Sequence, residues 1–168
     1  MSSNTLDNII FAINDILKAG ILIKRGNGYT ADLKNKVITI KELDNTPLTY
    51  FLLRHEKYHF SVFPKTYERR EEIINKVGKK VYAEFVEDWY FVKIAYNIVS
   101  NAIVNRYGLY CDPYINIFRE GHDIWLNKES AKKGDSIIIR EYIKLLDEDL
   151  LEEDIISRIK EIYEAIIL

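Results

Sequence analysis

The apolar positions at the start of the chain change from a helical to an extended pattern. Between residues 5 and 19 they recur at helical spacing, and Gly20 follows as a typical helix end. Residues 21–42 instead contain short apolar runs separated by a Gly-Asn-Gly turn at 26–28 and a Lys-Asn-Lys turn at 34–36. This alternation predicts a first helix followed by a small antiparallel meander, whose last strand is residues 37–40.

The remainder of the chain has mainly helical patterns. Asp44, Asn45 or Thr46 can cap a helix that has Pro47 at its first position and ends before Pro64. A charged helix over 66–80 and a long apolar helix from 81 to about 107 follow, the latter stopped by Gly108. We expect an ordered loop over 109–134 and two amphipathic helices near 136–146 and 152–167.

These elements predict a single α+β domain over residues 1–168. In this domain the small antiparallel sheet packs against the helix after Pro47 and against the long buried helix, with the C-terminal helices beside them. A length of 168 residues is enough to bury a core without disulfides.

Composition narrows the classes of function. Lys and Arg number 24 against 26 Asp and Glu, so there is no basic surplus of the kind that nucleic-acid binders carry. The single cysteine, Cys111, cannot form an internal disulfide, and the longest apolar stretch, 89–104, is interrupted by polar residues. We therefore expect a cytoplasmic protein that binds neither nucleic acid nor membrane. The abundance of Ile and the absence of Gln are compatible with a thermophilic source or an AT-rich genome.

The motif with the clearest chemistry is H-E-x-x-H at residues 55–59. Residues four apart lie one turn above each other on a helix, so His55 and His59 can hold one metal ion between them. Glu56 then projects beside the metal, where it can take a proton from a metal-activated water. Two imidazoles and a third ligand, with a fourth position open to water, suit zinc.

The strand at 37–40 and the motif helix at 50–59 together resemble the core of zincin metallopeptidases of thermolysin-like or minigluzincin-like type. The resemblance implies that an edge strand aligns an extended peptide against the motif helix. Some small zincins also carry N-x-x-x-D-x-x-V-N on a later helix, with the Asp as third ligand. Residues 97–105 are similar to this pattern, but Asn101 stands at the position of the Asp.

The third ligand is therefore open. Asn101 can offer an amide oxygen, which is neutral and a poorer zinc ligand than a carboxylate. Asp88 ranks equally with it, and Glu84 and Glu87 follow; Glu84 and Asp88 resemble the ligand-bearing helix of thermolysin-like enzymes. The acidic residues are also explained by a solvated first helical turn, and Asn97, Asn101 and Asn105 by a buried amide ladder.

The resemblance also implies a distant His or Tyr that stabilises the developing oxyanion. His122, in the expected loop, is a candidate for this role or for a further ligand, although a surface histidine is the commoner case. Tyr107, Tyr110 and Tyr114 are weaker candidates. The apolar stripe of the last helix can pack within the domain or, if exposed, form a homodimer.

The sequence thus predicts a zinc metallopeptidase that hydrolyses a peptide or protein substrate, with His55, His59 and either Asp88 or Asn101 on the metal and Glu56 as general base. One alternative is a binding or scaffold protein that keeps the zincin fold and has lost the chemistry at Asn101. Another is a metal-free α+β domain in which the motif is fortuitous.

Overall fold

The computed structural model describes residues 2–81, 86–134 and 136–167, and the side chains of all of these except 2–4 and 86–88. The elements in chain order are α1 (Ser2–Lys18), β1 (Leu22–Arg25), β2 (Thr30–Asp32), β3 (Val37–Ile40), α2 (Pro47–Ser61), α3 (Tyr67–Val81), α4 (Val86–Cys111), α5 (Ile115–Lys133), α6 (Ile137–Leu146) and α7 (Glu152–Ile167). A small sheet among helices agrees with the α+β class.

The sheet is mixed, so the predicted antiparallel meander is wrong. The strand order is β1-β3-β2; β1 runs parallel to β3, and β2 runs antiparallel to it. The chain after β1 passes over the end of β3 instead of turning back on β1. Gly26 N donates to Ile40 O over 2.8 Å. A Cβ at Gly26 would lie 2.5 Å from Thr39 Cγ2, so glycine permits this crossing. The strand predicted at an edge, β3, is therefore central.

Helix α2 begins at the position predicted from its capping residue and Pro47. The Oγ1 of Thr46 accepts a hydrogen bond from Thr49 N over 3.3 Å, and Pro47 occupies the first helical position. The helix contacts α1, α4 and α5 on one side and β2 and β3 on another. Because α2 is enclosed in this way, even its polar residues Arg54, His55 and Glu56 are buried.

The loop predicted over 109–134 is wrong, because α4 continues through Gly108 to Cys111 and α5 occupies residues 115–133. Gly108, which was predicted to end a helix, and Gly121, which lies in the predicted loop, are sites where helices pack closely. A Cβ at Gly108 would lie 2.1 Å from Phe118 Cζ, and one at Gly121 would lie 2.2 Å from the Pro47 carbonyl oxygen. Because glycine has no side chain, α5 can approach both α4 and the start of α2.

A buried ion-pair network holds the face of α2 opposite to the sheet. Asp112, which is 2% exposed, accepts from Arg54 Nε over 2.9 Å, from Tyr50 Oη over 2.5 Å and from the Tyr58 hydroxyl. Arg54 also donates from Nη1 to Asp15 over 2.7 Å. The network therefore joins α1, α2 and the turn between α4 and α5.

The two C-terminal helices were predicted correctly. Ser136 caps α6, and α7 packs against α3, α4 and α6. The apolar stripe of α7 is largely covered within the chain, since Ile155, Ile159, Ile162 and Tyr163 are buried, whereas Ile167 is exposed. A homodimer through this helix stays a prediction.

Among the described residues, none of the helices has the length and apolar character needed to cross a bilayer.

Candidate metal centre

The two histidines of the motif face each other across one turn of α2. Their Nε2 atoms are 3.3 Å apart, and the rings are perpendicular with centroids separated by 4.8 Å. His55 is 9% exposed, and Phe51 and Trp125 lie against its ring. The helical spacing thus brings two ring nitrogens together in a largely dry environment.

The hydrogen bonds on the other ring nitrogens determine which tautomers are present. His55 Nδ1 donates to Asn105 Oδ1 over 2.6 Å, and His59 Nδ1 donates to the Phe63 carbonyl oxygen over 3.2 Å. Carbonyl oxygens only accept, so each Nδ1 carries the proton of a neutral ring, and the Ser100 hydroxyl, 3.3 Å from His59 Nδ1, can accept from the same N–H. Each Nε2 is then left with a lone pair, and the two lone pairs face each other.

Two facing lone pairs repel each other, so the pair of Nε2 atoms is unfavourable by itself and suited to binding a cation. Burial lowers the pKa of His55 to about 4 and that of His59 to about 3, so both rings are neutral at pH 7 and no proton lies between them. Zinc binds imidazole nitrogen at about 2.0–2.1 Å with tetrahedral angles, which places two such nitrogens about 3.3 Å apart. The observed separation of 3.3 Å agrees with this value.

Glu56 supplies a carboxylate next to the pair. Its Oε1 is 3.7 Å from His55 Nε2, and ligand atoms of Glu56, His55 and His59 all lie within 4.8 Å of one another. Burial raises the pKa of Glu56 to about 8. Its Oε2 is buried and has no hydrogen-bond partner among the described residues. A buried polar atom without a partner is costly, so this oxygen is expected to meet a ligand or water.

Asn101 is the predicted third ligand that lies with the histidines. It lines the same cavity, and its side chain interacts with both imidazoles, raising the pKa of each against the larger effect of burial. Glu84 and the side chains of Glu87 and Asp88 lie outside the described residues. The backbone of Asp88, however, belongs to α4 thirteen residues before Asn101, about 20 Å away along the helix axis. The helix geometry therefore favours Asn101.

Asn105 extends the site into the core. It is fully buried and bonds side chains, not the neighbouring backbone that an amide ladder would use. Its Nδ2 donates to Tyr142 Oη over 2.6 Å, and that hydroxyl lies 2.8 Å from His122 Nε2. Burial raises the pKa of Tyr142, so the hydroxyl stays protonated and donates to His122. A continuous chain of hydrogen bonds thus holds the ring of His55.

His122 is not in a loop, contrary to expectation. It lies on α5 and is 3% exposed. Hydrogen bonds connect it to His55 through Tyr142 and Asn105, and the rings of Phe51 and Trp125 lie against both histidines. It is not among the described residues that line the cavity beside Glu56, and neither are the more exposed Tyr107, Tyr110 and Tyr114. Sequence reasoning placed all four near the chemistry, whereas the fold puts them behind or away from it.

The motif opens into a cavity of about 660 Å³. Its walls come from α2, α3, α4 and the edge strand β2, with Trp125 of α5 beside them. A second cavity of about 390 Å³ shares Asn97, Asn101 and Trp125 with the first. The edge strand at the site is thus β2 and not the strand at 37–40.

Several lining residues were not anticipated from the sequence, among them Arg70, Tyr96 and Trp125. Nothing in their local sequence distinguishes them from other helical residues. The packing of α4 and α5 against α2, and of α3 against α4, brings them to the cavity.

The comparisons with known proteins leave this geometry as the main source of functional inference. No protein-family model matches the sequence, and no curated protein or solved structure matches it.

Proposed function

We propose that this protein is a zinc-dependent peptidase of the zincin type. His55 and His59 bind the metal through Nε2, Asn101 is the third protein ligand, and Glu56 is the general base. Zinc, when bound at such a site, lowers the pKa of a coordinated water to about 7 and polarises a carbonyl group. The single observation that carries the proposal is the pair of facing Nε2 lone pairs, 3.3 Å apart, beside an unpartnered carboxylate oxygen.

The residues around the pair support a metal-binding role by holding each ring in one tautomer. Asn105 accepts from His55 Nδ1, and the Phe63 carbonyl oxygen accepts from His59 Nδ1. Partners of this kind fix ring orientation and typically contribute about 10–100-fold to metal affinity. The buried Asn105 is itself held by Tyr142, so it has little freedom to turn away.

Glu56 is suited to moving a proton. A cation next to it favours the carboxylate form, which can accept a proton from water at Oε2 as the water oxygen attacks the peptide carbonyl carbon. The same oxygen can then return the proton to the leaving amine when the carbon–nitrogen bond breaks. The low exposure of Glu56, 6%, keeps competing water away from this exchange.

The edge strand β2 provides a means of aligning an extended peptide. Thr30 and Asp32 line the cavity, and β2 pairs with β3 on one side only, within the described sheet. Its other edge can pair with the backbone of a substrate, as exposed strand edges do in other peptide-binding proteins. The sheet and α2 would then form the two sides of a substrate cleft.

Replacement of His55 by Ala should abolish stoichiometric zinc binding. Wild-type protein loaded with zinc and desalted is expected to retain about one zinc ion per chain, because two histidines and a third ligand make a complete protein site. The affinity of His55→Ala should fall by more than about 100-fold, since even the partners of ligands contribute 10–100-fold. Metal analysis by mass spectrometry and chelator competition measure both quantities.

His122→Ala is the matched control. It removes the third histidine of the chain, which is buried but does not line the cavity. It should still bind about one zinc ion per chain at saturation. Equal zinc content in wild type and His55→Ala would contradict the proposed function.

A second function is favoured by one observation, the amide of Asn101 where a carboxylate would bind zinc more strongly. With two imidazoles and an amide, the protein ligands carry no charge, and Glu56 alone offsets that of the metal. Such a site suits a protein that keeps the zincin arrangement for binding and has lost hydrolysis.

Asn101→Asp distinguishes the two functions. We expect its zinc affinity to rise by on the order of tenfold, about 1.4 kcal/mol, because the new carboxylate is both charged and a better ligand. Chelator competition measures the gain, and Asn97→Asp, one turn earlier on the cavity wall, is the control. Hydrolysis that appears only in Asn101→Asp would favour the degenerate binding protein, and an unchanged affinity would exclude Asn101 as a ligand.

A further inference from the structure

One end of the cavity carries a cation and a hydroxyl that the proposed chemistry does not use. Arg70 of α3 and Tyr96 of α4 both line the cavity, and the guanidinium carbon of Arg70 is 5.6 Å from the centroid of the Tyr96 ring. The two side chains come from different helices, so tertiary packing creates the pair.

Tyr96 is a buried donor with unused hydrogen-bonding capacity. It is 2% exposed, and its Oη interacts with Ser100 but makes no hydrogen bond of normal geometry with a described residue. Burial raises its pKa to about 12, although nearby Ser100 and Arg70 act in the opposite direction, so the hydroxyl keeps its proton. The described side chains contain two buried atoms without such a hydrogen bond, Tyr96 Oη and Glu56 Oε2, and both belong to residues that line this cavity. The coincidence indicates a ligand that would satisfy both.

Arg70 has donors to spare. Among the described residues it makes one ion pair, from Nη1 to Glu71 over 2.6 Å, which leaves other N–H groups of the guanidinium fork. The carboxylate of Asp32, also on the cavity wall, is held within its own turn by Asn35 at 3.1 and 2.9 Å. Arg70 therefore brings to this part of the cavity a cation with unused donors, whereas the Asp32 carboxylate already has a partner.

The spacing along α4 between Tyr96 and the proposed ligand Asn101 suits a short peptide. Tyr96 precedes Asn101 by five residues on α4, which corresponds to about 7.5 Å along the axis. An extended chain covers that distance in about two residues. A group bound at Arg70 and Tyr96 can thus belong to the same peptide whose carbonyl lies at the metal.

We propose that Arg70 and Tyr96 form a subsite for a carboxylate of the substrate, about two residues from the bond that is cleaved. This inference rests on the proposed peptidase function. A guanidinium fork and a phenol both donate hydrogen bonds, and a carboxylate accepts such bonds more strongly than an uncharged amide because it carries a negative charge. The carboxylate is either the C-terminus of a peptide or the side chain of Asp or Glu.

The test is peptide binding to wild-type protein in EDTA, where hydrolysis cannot occur. The probes are N-acetyl-trialanine with a free C-terminus, the same peptide as its C-terminal amide, and two amidated tripeptides with Glu or Gln at the centre. Binding is followed through the indole N–H signal of Trp125, which lies on the cavity wall. We expect the free acid, the Glu peptide or both to bind about tenfold more tightly than the uncharged match.

Arg70→Gln should remove this preference, and Tyr96→Phe should reduce it. The controls are Arg69→Gln and Tyr107→Phe, which lie outside the cavity. Arg69 is as exposed as Arg70, 28% against 29%, but pairs with Glu72 and Glu152. A preference for the free acid alone would identify the C-terminal carboxylate, and a preference for the Glu peptide alone would identify a side chain.

Equal binding of charged and uncharged peptides, or a preference that survives in Arg70→Gln, would overturn the subsite. Neither result bears on zinc content or hydrolysis. Conversely, a preference that depends on Arg70 in a protein whose His55 binds no metal would retain the subsite and remove the peptidase.

Discussion

Replacement of Glu56 by Gln should eliminate most peptide hydrolysis while leaving zinc bound. The substitution keeps the size and shape of a side chain that is 6% exposed, so the cavity should persist. It removes the group that we propose accepts the proton, and general-base catalysis of this kind contributes about 10²–10⁴-fold to rate. The proposed ligands His55 and His59 are untouched, so the zinc content should stay at that of the wild type.

The measurement is cleavage of a pooled peptide library, read by mass spectrometry at saturating zinc, together with metal analysis of the same samples. Glu68→Gln is the control, because Glu68 is exposed on α3. Wild-type rates in Glu56→Gln would exclude Glu56 as the general base. A simultaneous loss of zinc would instead assign Glu56 to metal binding.

Replacement of Asp112 by Ala should have the largest effect on stability. Asp112 accepts hydrogen bonds from Tyr50, Arg54 and Tyr58 and from the backbone N of Tyr114. Without it, the guanidinium of Arg54, in a residue 4% exposed, would keep the partly exposed Asp15 as its charged partner and the Tyr58 hydroxyl as a neutral one. Removal of one partner of a buried ion pair typically costs 3–5 kcal/mol, so we expect a loss of about 4 kcal/mol.

Chemical denaturation followed by circular dichroism gives the free energy of unfolding. Asp7→Ala, at an exposed position on α1, should change it by less than about 0.5 kcal/mol. Asp112→Asn, which keeps an acceptor but not the charge, should give an intermediate loss. A change below about 1 kcal/mol in Asp112→Ala would show that α2 is held by its apolar contacts alone.

Local features of α2 were predictable because their causes lie within a few residues. Thr46 and Pro47 start the helix through one hydrogen bond and one fixed backbone angle. The spacing of His55 and His59 brings their rings to one side of the helix. The partners of the two Nδ1 atoms then fix which ring nitrogens face each other.

The wrong predictions of the loop and of the sheet came from residues that are compatible with more than one local structure. Gly108 was predicted to end a helix, and Gly121 lies in the predicted loop. Each lies inside a helix, and its lack of a side chain allows another element to approach its Cα closely. The short strands read as a meander, yet the crossing at Gly26 places β3 between β1 and β2. In both cases the deciding contact is distant in sequence.

The chain's own pattern therefore accounts for the helix that carries the motif, its start, and the direction in which two imidazoles point. Packing alone selects what surrounds them: Asn105 reaches His55 across 50 residues of sequence, and Tyr142 reaches Asn105 across 37. The physical reason is the distance along the sequence over which each kind of interaction acts. Backbone hydrogen bonds and caps act over one helical turn, whereas the partners of a buried polar group are chosen by whichever helices pack against it.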